Sequence, residues 1–150
     1  SLDAFVGMMN KQAQAWGLKN TQFRNVTGLT EAGHYSSARD VAVVASKIIN
    51  DFPEFYTLYS VRQFTYNKIK QDNRNMLLGR DPSVDGMKTG YTDAAGYCLV
   101  ASAIREEQRL GRELLILEQR WSVLAIVGDE PGQRGPHVFA IAASSGAVSG

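Results

Sequence analysis

Two strand-like runs, Val84 to Thr92 and Tyr97 to Ile104, are joined only by Asp93-Ala94-Ala95-Gly96. A link that short cannot hold a crossover, so the runs are expected to pair antiparallel as a hairpin. The rest of the chain has to pack around that hairpin. Upstream, Ser1 can cap a helix running to about Trp16, with Phe5, Met8, Met9 and Trp16 on one face and Gly17 as its stop. That apolar face is expected in the core. Asn20 to Tyr35 reads as loop, with turns at Gly28 and Gly33. Ser37 can bond the amide of Asp40 to open a second helix, in which Val41, Val44, Ala45, Ile48 and Ile49 recur at helical spacing. Pro53 stops that helix and suits the first position of a short one through Tyr59. Arg62 to Tyr66 alternates as a strand does, and Asp72 to Arg80 reads as a polar turn with an apolar insert, Met76-Leu77-Leu78. After the hairpin, Arg105 to Gln108 reads as a turn. Leu114 to Leu117 fits strand or helix, and Ser122 to Val127 fits a strand. Helices followed by sequential antiparallel strands predict an α/β fold, an antiparallel sheet flanked by helices.

The composition excludes several classes of function. Sixteen basic residues against fifteen acidic ones leave a net charge of +1, which gives no electrostatic case for a nucleic-acid partner. No apolar run approaches the length of a membrane span, and a single cysteine, Cys98, excludes an internal disulfide. The first residues do not read as a signal peptide, which fits either a cytoplasmic protein or one whose leader has been removed. Composition also breaks along the chain. Every lysine, threonine, asparagine and tyrosine lies at or before Ala103, and the remaining 47 residues hold none. The last residues, from Ala142 to Gly150, approach low complexity and are expected to fray.

Most chemical motifs are absent. His34 and His137 are about a hundred residues apart and match no metal-binding spacing, so no metal and no cofactor is expected. Phosphate-loop and dinucleotide glycine patterns are missing, as is a Gly-x-Ser-x-Gly nucleophile turn. Asn25-Val26-Thr27 fits a glycosylation acceptor, a pattern common by chance. One triplet stands out: Lys88-Thr89-Gly90, on a predicted strand. An ammonium and a hydroxyl so placed can hold a carboxylate, and glycine leaves the strand edge open to an extended peptide.

The context of that triplet resembles the D-alanyl-D-alanine carboxypeptidases, the low-molecular-mass penicillin-binding proteins. The resemblance runs through Asp3-Ala4-Phe5-Val6, Met9-Asn10, Gly17 to Thr21, Tyr35 to Asp40, Asn73-Arg74-Asn75, Val84 to Asp93, Ala95-Gly96-Tyr97 and Leu99 to Ala103. It implies a part of the serine β-lactamase and penicillin-binding-protein fold. It also implies a serine peptidase that trims the terminal D-alanine of peptidoglycan stem peptides through an acyl-enzyme and is trapped by β-lactam antibiotics. By resemblance Lys88 is a catalytic, electrostatic group, and Lys88, Thr89 and Gly90 bind substrate. The backbone N–H of Tyr91, where the family often has histidine, forms half of an oxyanion hole. Arg74 is either a helper for the substrate carboxylate or a structural arginine. The family works in the periplasm or cell envelope, which would explain a missing signal peptide by a missing N-terminal part.

The family places two further motifs around the groove, Ser-x-x-Lys and Ser-x-Asn, and neither occurs in these 150 residues. Both precede, in the family, the segment that Ser1 to Phe5 resembles. Residues 1–110 are therefore expected to be the C-terminal part of the catalytic domain, inactive alone, and 111–150 a divergent tail. A serine β-lactamase shares the third motif and stays open as an alternative, as does a non-catalytic recognition module or fragment.

Overall fold

The computed structural model describes residues 1–104, 121–127 and 137–142. Helix α1 covers Leu2–Ala15, capped by the Ser1 hydroxyl, and Gly17 follows it at φ +70. A positive φ of that kind is what lets glycine end a helix. Helix α2, Ala38–Asp51, is capped by Ser37, whose Oγ accepts from the Asp40 amide at 3.2 Å. Pro53 then opens α3, Pro53–Tyr56, which runs into a 3-10 turn, Thr57–Ser60.

The strands form two sheets. In the first, β1 (Gln63–Tyr66) pairs antiparallel with β2 (Ile69–Asp72). Its two-residue turn, Asn67-Lys68, has positive φ at both positions, the geometry that matches the twist of flanking strands. The polar stretch after it contains a single helical turn, α4 (Leu77–Arg80). The second sheet has the order β3-β4-β5-β6, all neighbours antiparallel, with β3 Val84–Thr92, β4 Gly96–Ile104, β5 Trp121–Val127 and β6 His137–Ala142. The expected hairpin is thus present, with Lys88 opposite Val100 and Tyr91 opposite Tyr97. The strand expected at 122–127 lies beside β4. Leu114 to Leu117, the turn at 105–108 and the last eight residues lie outside the described residues.

Helix α2 packs against this sheet and supplies most of the core. Ala38, Ala42, Ala45 and Ile49 form its buried stripe, joined by Tyr56 and Met87. Small side chains on that stripe let the helix approach closely, while Ile48 is only partly buried. Buried Asp40 points the other way, accepting from the Asn20 amide and the Thr21 hydroxyl, both at 2.7 Å. The loop at 20–35 is closed by a bridge between Gln22 and Tyr35, and its Thr30 hydroxyl donates to Thr92 at the far end of β3 over 2.9 Å.

Helix α1 departs from expectation. Met8 is 64% exposed, Phe5 is exposed, and Met9 and Trp16 are only half-buried. Among the described residues of α1 only Ala13 is buried. The helix is tied to the body by polar bonds instead: Asn10 exchanges two hydrogen bonds with the backbone of Phe23, at 2.8 and 2.9 Å. Periodicity revealed the apolar stripe correctly, but no described element covers it.

Candidate functional site

Among the described residues β3 pairs with β4 alone, so its other side can take another extended chain, although the Gly86 carbonyl already accepts from Asn75 and the Thr89 carbonyl from Lys88. Its outer half, with β4 opposite and residues 74–77 beside it, forms an open groove of about 860 Å³. Arg74, Lys88, Thr89, Gly90 and Tyr91 all line it. These residues come from two separate stretches, and α4, which follows Arg74 closely, packs beside β3.

The electrostatics of the groove are one-sided. Two of its lining residues are cations and none is a carboxylate. Lys88 is exposed, and its Nζ donates to the carbonyl of neighbouring Thr89. Among the described residues the only ion pair joins Lys47 to Asp51 on α2, so neither groove cation is neutralised by an acid. Such a site favours a carboxylate ligand.

Gly90 has room for a side chain. The nearest atom to a Cβ placed there is the Cβ of Cys98 at 3.9 Å, ordinary contact, and its φ is not in the left-handed region. Nothing within the fold requires glycine at this position. Beyond it, the Tyr91 hydroxyl donates to Asp93 at 3.0 Å, and the Tyr91 and Tyr97 rings lie 4.5 Å apart at 38°.

The inner end of β3 is held by a buried polar cluster that sequence reasoning did not find. The phenol of Tyr56, 6% exposed, donates to Asp85 Oδ1 at 2.7 Å. The Ser102 hydroxyl, 1% exposed, lies 3.0 Å from the same oxygen and also within hydrogen-bonding distance of the Tyr56 phenol, so its single proton serves one of the two at a time. Asn75, 2% exposed, donates to the Gly86 carbonyl at 2.8 Å. Burial pushes the Tyr56 phenol well above its ordinary pKa, and the neighbouring Asp85 carboxylate pushes it the same way, against the Ser102 hydrogen bond. Here the strand has no spare room: a Cβ on Gly86 would lie 2.6 Å from Ser102 Oγ and 3.0 Å from the Tyr56 hydroxyl. Asp85, Asn75 and Ser102 all fall inside the stretches that carry the family resemblance, which was the available signal. Tyr56 had none, because its partners lie 29 and 46 residues further along the chain. Among the described residues no group of histidine, cysteine and acidic side chains could hold a metal ion.

Residues 1–115 match the family model for D-alanyl-D-alanine carboxypeptidase. The D-alanyl-D-alanine carboxypeptidase DacA of Escherichia coli is 53% identical over 111 residues, 73% of this chain but only 28% of that protein. Among solved structures, penicillin-binding protein 6B of Escherichia coli superposes with a TM-score of 0.69 at 41% identity, covering 85% of this chain and 37% of that one. Penicillin-binding protein D2 of Listeria monocytogenes, solved in its cefotaxime-bound form, gives a TM-score of 0.60 at 37% identity, covering 67% of this chain and 42% of that one. The chain thus spans between about a quarter and two fifths of the relatives it resembles. The extent of the family match, and a fold shared with penicillin-binding proteins, establish that this chain belongs to the D-alanyl-D-alanine carboxypeptidase family of peptidases.

Proposed function

We propose that this chain supplies the substrate-binding wall of a serine-type D-Ala-D-Ala carboxypeptidase. In this reading a stem peptide ending in D-Ala-D-Ala lies along the open edge of β3. Lys88 and Thr89 hold its terminal carboxylate, Arg74 adds a second positive charge, and Gly90 leaves space for the peptide backbone. The observation that carries the reading is the groove itself: two cations without an acid, beside a glycine that the fold does not require.

The chemistry is acyl transfer. A serine oxygen attacks the carbonyl carbon between the two D-alanines, and the C–N bond breaks. The terminal D-alanine leaves with the proton, and water then hydrolyses the ester. The backbone N–H of Tyr91 is assigned one of the donors that stabilise the tetrahedral oxyanion, and Lys88 the fixed positive charge beside it. Neither Ser-x-x-Lys nor Ser-x-Asn occurs in these 150 residues, so the attacking serine and its base are not supplied by them. β-Lactams, which also carry a carboxylate next to a reactive amide, belong to the same ligand class. The substrate implies work in the periplasm or cell envelope, which fractionation of the native cell would check.

The test separates binding from acylation. N-acetyl-D-Ala-D-Ala should shift the amide resonances of Lys88 to Tyr91 in this chain, and the same dipeptide with a C-terminal carboxamide should not. A fluorescent penicillin should leave no label that survives denaturation. Equal shifts from acid and amide would overturn the carboxylate assignment, and a denaturation-resistant label would overturn the division of labour.

A further inference from the structure

We infer that Asn73 and Asn75 are positioning residues: together they lock the backbone on both sides of Arg74 and so fix where its charge stands in the groove. The inference rests on the proposed role of Arg74 as the second cation for a substrate carboxylate, and it says what holds that cation in place. The Arg74 side chain is exposed and, among the described residues, has no hydrogen-bond or ion-pair partner. The guanidinium is therefore placed by the backbone that carries it.

That backbone is clamped twice. The Asn73 amide donates to the Arg62 carbonyl at 2.8 Å, and its side-chain Nδ2 donates to the Val61 carbonyl at 3.0 Å. Its Oδ1 accepts from the amide of Asn75 at 2.9 Å, which closes a turn around Arg74. Asn75, 2% exposed, repeats the arrangement on the other side. Its Nδ2 donates to the Gly86 carbonyl of β3 at 2.8 Å, and its Oδ1 accepts from the Leu77 amide at 3.2 Å, where α4 begins. Both positions use a donor and an acceptor on one short side chain, a pair that an ionised carboxylate or an alkyl group of the same size lacks.

The bond to Gly86 sets the geometry of the site. Gly86 lies two residues before Lys88 on the same strand, and Asn75 directly follows Arg74. One hydrogen bond thus ties the two cations of the groove into a single frame. A carboxylate held by both gains from a fixed separation, because no ordering of the cations is left to be done on binding.

The experiment is a double-mutant cycle on the 150-residue chain, read as the affinity of N-acetyl-D-Ala-D-Ala from amide-resonance titration. Arg74→Gln should weaken the dipeptide about fivefold, the upper range for an exposed charge pair. Asn73→Ala should weaken it about threefold in the parent but less than about 1.5-fold in the Arg74→Gln background, because the asparagine acts through the arginine. Equal weakening in both backgrounds is what a general loosening of the groove would give, and it would overturn the positioning role while leaving the charge of Arg74 in place. A second readout needs no substitution and decides the matter if Asn73→Ala does not fold. Relaxation of the Arg74 backbone amide in the unliganded chain should give an order parameter of about 0.85, and a value below about 0.6 would overturn the clamp. If Arg74→Gln binds the dipeptide as the parent does, the second-cation assignment is wrong and this inference falls with it, while Lys88 and Thr89 keep their role. If the dipeptide does not shift Lys88 to Tyr91 in the parent, the whole carboxylate site fails.

Discussion

At Gly86, three side-chain atoms of Ser102 and Tyr56 lie within 3.5 Å of where a Cβ would stand. At Gly90, four residues along the same strand, the nearest atom lies at 3.9 Å. One glycine is demanded by the interior and the other is not. The inner end of β3 is fixed by four buried or half-buried side chains: Tyr56 and Ser102 hydrogen-bond Asp85, and Asn75 bonds the Gly86 carbonyl. The outer end presents two cations without a carboxylate among the groove's lining residues. Stability and recognition are thus assigned to different halves of one strand, and substitutions should separate them.

The largest effect should come from Gly86→Ala. Its methyl group must displace Ser102 or Tyr56, an overpacking that costs about 3 kcal/mol. Denaturant titration would measure it, and an unfolding midpoint equal to the parent's would erase the contrast between the two ends. A smaller, pH-dependent effect should follow from Tyr56. Its folded pKa is raised above the unfolded value of about 10, so below that pH the phenol is neutral in both states. Above it the unfolded chain ionises first, and stability should fall with rising pH by up to about 1.4 kcal/mol per unit. Tyr56→Phe should remove that component of the slope, and an unchanged slope would show that the phenol ionises as easily when folded. Gly90→Ala should move stability least, by less than about 0.5 kcal/mol, because the methyl meets only ordinary contact. The same substitution should weaken N-acetyl-D-Ala-D-Ala roughly tenfold, about 1.4 kcal/mol. Unweakened binding would mean that the open edge at Gly90 is not where the peptide lies.

Much of this layout was legible in the residues. The four-residue link fixed the β3–β4 hairpin, and Ser1, Ser37 and Pro53 marked helix starts by local hydrogen bonding and backbone restriction. The five expected site residues line one groove because Lys88 to Tyr91 are contiguous and the Asn73-Arg74-Asn75 stretch lies beside them. Strand β2 was missed because its turn is made by Asn67-Lys68, which lacks the glycine that usually marks positive φ. The core position of Met8 was wrong for a different reason: amphipathicity reports which face is apolar, but only tertiary structure says what covers it. The Tyr56 cluster was invisible because its partners are distant in sequence and polar in kind, so no apolar period points to them.

The hydrogen bond from Thr30 to Thr92 has a mechanical consequence. Strand β3 is pinned at its first residues by Asn75, Tyr56 and Ser102, and at its last by a loop from another part of the chain. Between those two ends Lys88, Thr89 and Gly90 are also paired with Val100, Leu99 and Cys98 of β4. The triplet therefore cannot shift across the groove unless β4 moves with it or those pairs break, so the hairpin fixes the spacing of the three residues.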